Sequence, residues 1–342
     1  MGVQLSNLLV KKEIDITFLN NKIIAIDTPL WLYQFISSIR QRDGTLLMDR
    51  EGNVTSHLMG LFTRTSKLMQ YGIKPVFVFD GKPPELKKKE TEKRKQAKIE
   101  AEKKYKIAVK KKDIEDMKKY ASRTSRLTKE MIDEAKDLIK AFGIPIVQAP
   151  SEGEAQASHI VKKNDAFCVA SQDFDSLMFG ATRVVRNLSL LGKRKKSNQL
   201  AYTTVEPELI IIKDVLDHLN INQDQLIVLG ILVGTDYNNG GIKGIGPKNA
   251  LKLVKEYKNN FDKLFSEVKW EFDVSWKEIF DIIKNIPVTD DYEIKWNKID
   301  IDKLNELLIE KHNFSRERIE SLSEKLYNYT KKASQNTLGD FF

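Results

Sequence analysis

Apolar residues along this chain follow two rhythms. Short runs that are apolar almost throughout occur at 22–27 (KIIAID), 75–80 (PVFVFD), Ile144–Val147 and 166–170 (AFCVA), and these predict buried strands. Between them the apolar positions recur at helical spacing. One helical pattern follows Asp27 and runs to about Arg40. Another places Leu58, Leu61, Phe62, Leu68 and Met69 on one face of 57–71, with Gly72 positioned to end it. Residues 128–142 form an amphipathic helix stopped at Gly143, and Ser151 opens the next. Residues 182–190 and 200–205 alternate like the arms of a hairpin around an exposed GKRKKSN tip. Helical patterns fill most of 206–330, and the chain is polar from about Lys331 until its last residues. Strands alternating with helices predict an α/β fold with a largely parallel central sheet, flanked by helices on both faces. In such sheets ligands bind outside the carboxyl ends of the strands.

Composition narrows the partner class. Of 342 residues 41% are hydrophobic, enough for a sizeable core and too many for wholesale disorder. The run Leu226–Val233, interrupted by Gly230, is too short to span a bilayer, so no membrane contact is expected. No charged-then-apolar leader opens the chain, and an intracellular setting, cytoplasmic or nucleoid-associated, is expected. Cys168 is the single cysteine, which excludes an intramolecular disulfide and any multi-cysteine metal site. In a strand it reads as a buried small hydrophobe. The net charge is +9, and residues 81–120 alone hold 16 Lys/Arg against 8 Asp/Glu. A basic segment of +8 on a nearly neutral body points to contact with a polyanion, nucleic acid above all. The plainer explanation, a solvated helix laced with Glu–Lys pairs, is commoner for charge runs in general.

The candidate chemistry sits where the strands close. Asp27, Asp80, Asp173 and Asp175 lie at or just past strand ends, Glu152 and Glu154 just past another, and Asp236 follows the helical run LIVLGILVGTD. Singly each has a plain reading, since an Asp after a strand caps a helix or shapes a turn. Ser151 and Glu154 fit a capping box. Four acidic strand ends together are harder to assign to turns. Crowded carboxylates raise one another's pKa unless cations neutralise them. An oxygen-only donor set suits Mg²⁺, with Mn²⁺ as substitute. Two such ions ~4 Å apart clamp the attacking and leaving oxygens of a phosphodiester. Acids beside a basic segment therefore read as a metal-dependent nuclease. No G-x-x-x-x-G-K-[ST] occurs, which disfavours a P-loop nucleotidase.

The segment GGIKGIGPKNALKLVKEY, Gly240 to Tyr257, is a glycine-rich turn entering a helix at Pro247. Its backbone N–H groups face a helix N-terminus, and Lys243, Lys248 and Lys252 add charge, which favours duplex-backbone binding. An ordinary helix–turn–helix packing element would look similar. Tyr33, one to two turns beyond Asp27, can stack a base or sit in the core.

The motifs IAIDTPLWLYQF, VFVFDGKPPELK, APSEGEAQA, SQDFDSLMFG and LVGTDYNNGGIKGIGPKNA closely resemble the structure-specific, XPG-like flap endonuclease family of archaea and eukaryotes, in matching order over the whole chain. The resemblance implies a nuclease domain over 1–330, with a helical arch at about 82–130 and a DNA-binding helix–turn–helix at about 235–258. It implies that Asp27, Asp80, Glu152, Glu154, Asp173, Asp175 and Asp236 hold two Mg²⁺ ions. Lys87 and Arg94 match arch residues that reach the scissile phosphate, and Tyr33 matches the aromatic beside the reacting nucleotide. Arg40 and Arg64 match contacts to the DNA strands. Lys243, Gly244, Gly246 and Lys248 belong to the turn that grips duplex, where the family also holds K⁺. The implied substrate is DNA with a 5′ flap, cut near its base during replication and repair. The tail 331–342 carries Gln335, Leu338, Phe341 and Phe342 in the form Q-x-x-L-x-x-F-F, which resembles the peptide that docks on the sliding clamp (PCNA). A monomer is the default expectation. Two alternatives stay open: a 5′-exonuclease relative, and a non-catalytic, clamp-tethered junction-binding protein.

Overall fold

The computed structural model describes residues 5–41, 45–111, 116, 120, 126–190, 192–195 and 202–326. Its centre is a seven-stranded sheet in the order β1 (Lys12–Glu13), β9 (Glu208–Ile211), β6 (Arg183–Arg186), β5 (Cys168–Ala170), β2 (Ile23–Asp27), β3 (Lys74–Phe79), β4 (Ile146–Gln148). From β6 to β4 every neighbour is parallel, and β9 and β1 add an antiparallel edge. The expected largely parallel sheet is present.

β2, β3 and β5 are apolar almost throughout because both faces are covered, and successive side chains go to opposite faces. Ala25, Val76, Val78, Val169, Val184 and Ile210 join one core with α5 (Gly153–Lys162), α6 (Asp175–Met178), α7 (Ile212–Leu219) and α8 (Gln223–Val233). Ile24, Ile26, Phe77, Phe79, Cys168 and Ala170 join the other with α1 (Thr28–Ser38), α2 (Ser56–Gln70) and α4 (Lys129–Ala141). Full burial of each large side chain stabilises the fold by about 1.5–3 kcal/mol. Cys168 is wholly buried, as expected of a small hydrophobe in a strand, and burial pushes its thiol pKa up. The basic segment forms α3 (Lys87–Lys111), and α9 (Pro247–Tyr257) follows the glycine turn. No helix among the described residues is long and apolar enough to cross a membrane.

Two expectations fail at the antiparallel edge. The hairpin does not join 182–190 to 200–205. Val184 and Val185 are fully covered, which only the main sheet provides, so β6 lies between β5 and β9. The two-stranded ribbon is instead β7 (Gly192–Lys195) on β8 (Tyr202–Val205), with Gly192 opposite Val205. Residues 208–211 also read as helical, because their isoleucines run directly into α7, yet they pair with β6.

A buried ionic network ties the segment before α2 to the C-terminal part of the chain. Asp49 Oδ2 lies 2.9 Å from His312 Nδ1, while Glu134 lies 3.1 Å from His312 Nε2, 3.3 Å from His57 Nε2 and 3.0 Å from Lys311. Burial works to raise both carboxyls. For Asp49, hydrogen bonds from His312, Asn53 and Glu51 outweigh it; for Glu134, those from His57 and Lys311 do, and each pKa is held at about 2. An unfolded carboxylate titrates near 4, so this stabilisation is present above pH ~4 and is lost as pH falls towards 2. Asp49→Asn is expected to lower the melting temperature by about 2–5 °C near pH 6. Calorimetry across pH checks this: the gap to the parent closes near pH 2, and a gap that persists there would assign the loss to packing instead.

Candidate active site

Because β5, β2, β3 and β4 are parallel neighbours, their carboxyl ends share one edge. Asp27 closes β2 and Asp80 follows β3. Glu152 is the N-cap of α5 and Glu154 lies in its first turn, after β4. Asp173 and Asp175 follow β5, with Asp175 opening α6, and Asp236 enters from the turn after α8. The acids are held by fixed donors. Gly153 N–H donates to Asp80 Oδ1 at 2.6 Å, and a side chain at Gly153 would meet that oxygen at 2.9 Å. Glu154 Oε1 accepts from the N–H and hydroxyl of Ser176 at 3.1 and 2.5 Å. The expected capping box is therefore absent: Glu152 is the cap, and Glu154 turns away from Ser151 towards the N-terminus of α6, where two donors meet one buried oxygen.

The electrostatics join the acids into one unit. Burial, then the charge of Asp80 and that of Asp173, push Asp27 well above the usual carboxylate range. Burial, then Asp175, Asp27 and Asp173, do the same to Glu154. Asp80 keeps solvent contact at the rim, yet it is raised by desolvation in the crowded cleft and by Glu152, against the Gly153 hydrogen bond. Lys87, the first residue of α3, answers part of this charge. Its Nζ is 2.7 Å from Glu152 Oε2 and 3.3 Å from Asp236 Oδ2. Burial works against its charge, but Glu152 and Asp236 outweigh burial and raise its pKa, so it stays an ammonium.

The donor set contains only oxygen, is partly desolvated and repels itself, which fits a hard divalent cation. Among the described residues, no group of three acids is drawn together into a closed coordination cage. The acids form an open edge, with Lys87 between Glu152 and Asp236.

Other expected residues surround this edge. Tyr33 is 39% exposed, which excludes the core reading, and Lys98 Nζ of α3 lies 4.8 Å from its ring centroid. Arg94 belongs to α3, with its side chain outside the described residues. Arg40 follows α1 and Arg64 lies on α2; both are half-buried, and burial lowers their pKa values. Between α8 and α9 the glycine turn exposes Lys243, Gly244, Gly246 and Lys248. Its shape demands glycine at Gly234 and Gly241, where a side chain would come within 2.4 Å of Gly241 N and 2.2 Å of Val233 O. Gln335, Leu338, Phe341 and Phe342 lie outside the described residues.

Sequence reasoning missed Tyr237, whose hydroxyl donates to Glu152 Oε1 at 2.6 Å. It also missed Arg186, whose Nε donates to Gln172 O at 3.2 Å and whose guanidinium lies 4.6 Å from the Phe174 ring centroid. Arg186, paired with Glu208 at 3.0 Å, thus holds the turn that carries Asp173 and Asp175. Neither residue stands in a spacing that reveals these contacts.

The XPG N-terminal domain matches residues 1–101, and the XPG I-region matches residues 143–236. Flap endonuclease 1 of Thermofilum pendens is 51% identical over 328 residues, covering 95% of this chain and 94% of that protein. Flap endonuclease 1 of Pyrococcus abyssi is 50% identical over 342 residues, covering 100% of this chain and 98% of that protein. The solved structure of flap endonuclease-1 from Methanococcus jannaschii superposes with a TM-score of 0.76 at 42% identity, over 97% of this chain and 100% of that one. The catalytic core of Rad2 in complex with DNA shares the fold, with a TM-score of 0.68 at 24% identity, over 94% of this chain and 97% of that one. Identity near one half along the whole length, with the strand-end acids gathered on one sheet edge, places this chain in the flap endonuclease family.

Proposed function

We propose that this chain is a structure-specific endonuclease that hydrolyses a phosphodiester near the base of a 5′ single-stranded DNA flap. The observation that carries the reading is the set of seven carboxylates at one sheet edge, with Lys87 of the basic helix among them. A protein that only bound junctions would gain nothing from repelling carboxylates beside DNA. Asp27, Asp80, Glu152, Glu154, Asp173, Asp175 and Asp236 would hold a pair of Mg²⁺ ions, with Mn²⁺ as a substitute, some directly and some through water. When bound there, the ions supply the Lewis acidity that hydrolysis of a phosphodiester needs.

The chain's own groups do the rest. The Lys87 ammonium supplies fixed positive charge for the phosphoryl oxygens, worth most in a cleft that excludes water. Arg94, further along the same helix, adds to it. Tyr33 offers an exposed ring on which a base stacks, and Lys98 already lies over that ring. The arch of about 82–130 lets the flap pass, and Arg40 and Arg64 contact the strands at the junction. The turn with Lys243, Gly244, Gly246 and Lys248 binds duplex through its phosphates, with K⁺ as its ion, so no sequence is read. A junction bends more easily than continuous duplex, and bending selects the substrate. The tail 331–342 tethers the 1–330 nuclease domain to a sliding clamp through Gln335, Leu338, Phe341 and Phe342.

An end-labelled 5′-flap junction, with a 3′-flap and plain duplex as controls, is expected to be cut near the junction in Mg²⁺ and not in EDTA. Asp175→Ala is expected to reduce cleavage by more than the roughly 10–100-fold typical of outer-shell changes, and to leave junction binding nearly intact. Unchanged turnover of this variant would remove the metal assignment, and tight binding by the parent without incision would favour the junction-binding protein. Cutting confined to free 5′ ends would favour the exonuclease. Removal of residues 335–342 is expected to abolish stimulation by the clamp while cleavage without the clamp stays the same; retained stimulation would place the contact elsewhere.

A further inference from the structure

We propose that Tyr237 is a positioning residue for this reaction: its hydroxyl fixes Glu152, and its ring supports Lys87. The proposal rests on the nuclease reading of the site. Both oxygens of Glu152 are taken by donors from distant parts of the chain. Oε1 accepts from the Tyr237 hydroxyl at 2.6 Å, and Oε2 pairs with Lys87 Nζ at 2.7 Å. Lys87 Nζ also lies 5.5 Å from the centroid of the Tyr237 ring, a cation–π distance. One side chain therefore touches an acid of the sheet edge and the ammonium at the base of the basic helix.

Tyr237 is itself set rigidly. Its N–H donates to Thr235 Oγ1 at 3.1 Å, and the Thr235 hydroxyl donates to Asn238 Oδ1 at 2.7 Å. Asn238 is buried and donates to Ile231 O at 2.7 Å, at the end of α8. The ring thus projects from a turn locked to a core helix, which makes it a fixed post between two working groups. A phosphate that engages Lys87 competes with Glu152 for the ammonium. The Tyr237 hydroxyl then stays as the donor that keeps Glu152 oriented.

The two roles separate by substitution. Tyr237→Phe keeps the ring and removes the hydroxyl; Tyr237→Leu removes both. In the full chain without DNA, Mn²⁺ binding read by electron paramagnetic resonance is expected to weaken about tenfold in Tyr237→Phe. Its single-turnover flap cleavage is expected to fall comparably at limiting Mg²⁺ and to recover at high Mg²⁺, with flap affinity in Ca²⁺ unchanged. Tyr237→Leu is expected to show the same metal loss and a further loss of rate, of roughly tenfold, that high Mg²⁺ does not restore. If Tyr237 acts through Glu152, Tyr237→Phe adds less than about twofold to the Mn²⁺ loss already present in Glu152→Gln. Parent-like Mn²⁺ affinity in Tyr237→Phe, or losses that multiply fully in the double variant, would overturn the proposal. This holds even if Tyr237→Leu fails to fold, because the nearly isosteric Phe variant and the cycle decide it. A parent chain that binds Mn²⁺ yet cuts no flap would instead overturn the nuclease reading.

Discussion

Carboxylates held together repel one another, and this fold gathers seven of them at or beside one edge of its sheet. Asp27 and Glu154 are the most perturbed, first because burial strips their water and then because the neighbouring acids repel them. A protein keeps such an arrangement only if something else is stabilised by it. Part of the compensation is internal: Gly153 N–H on Asp80, Ser176 on Glu154, and Lys87 between Glu152 and Asp236. The remainder is negative charge that the proposed divalent cations would neutralise.

The rest of the architecture keeps these charges from moving apart. Alternating side chains of β2, β3 and β5 interlock with helices on both faces, so the strand ends cannot splay without opening two cores. Turns reached from elsewhere complete the site. Arg186 braces the Asp173–Asp175 turn from the antiparallel side of the sheet, and the turn after α8 brings Tyr237 against Glu152 and Asp236 against Lys87. α3 begins at the same point, with Lys87 in the acidic cleft and Lys98 over Tyr33. The helix proposed to guide a flap is thus fastened to the groups proposed to cut it.

Much of this was legible in the sequence. Runs that are apolar throughout predicted strands covered on both sides, and those strands are buried. Acids that close the runs predicted one acidic edge, because parallel strands end on the same side. The glycine-rich stretch from Gly240 signalled a turn, and at Gly241 no side chain fits. Errors came where one local pattern had two uses. The apolar stretch at 183–186 suits a hairpin arm or a sheet strand equally, and the isoleucines at 210–212 suit a strand end or a helix start. Ser151 and Glu154 satisfy a capping pattern, but Ser176 offers Glu154 two donors.

The sequence by itself determined the fold class, the acidic strand ends, the basic helix and the glycine turn, because each depends on residues adjacent or periodic along the chain. Only the tertiary structure decided which groups meet. Tyr237 and Glu152 are 85 positions apart and joined by a hydrogen bond, and no periodicity records that distance. Lys87 could have been one more solvated lysine of a charged helix, and its contact with two acids exists because α3 starts at the carboxyl edge. Burial, which raises the pKa values of Asp27 and Glu154, likewise belongs to packing, since it depends on neighbours brought in from every part of the chain.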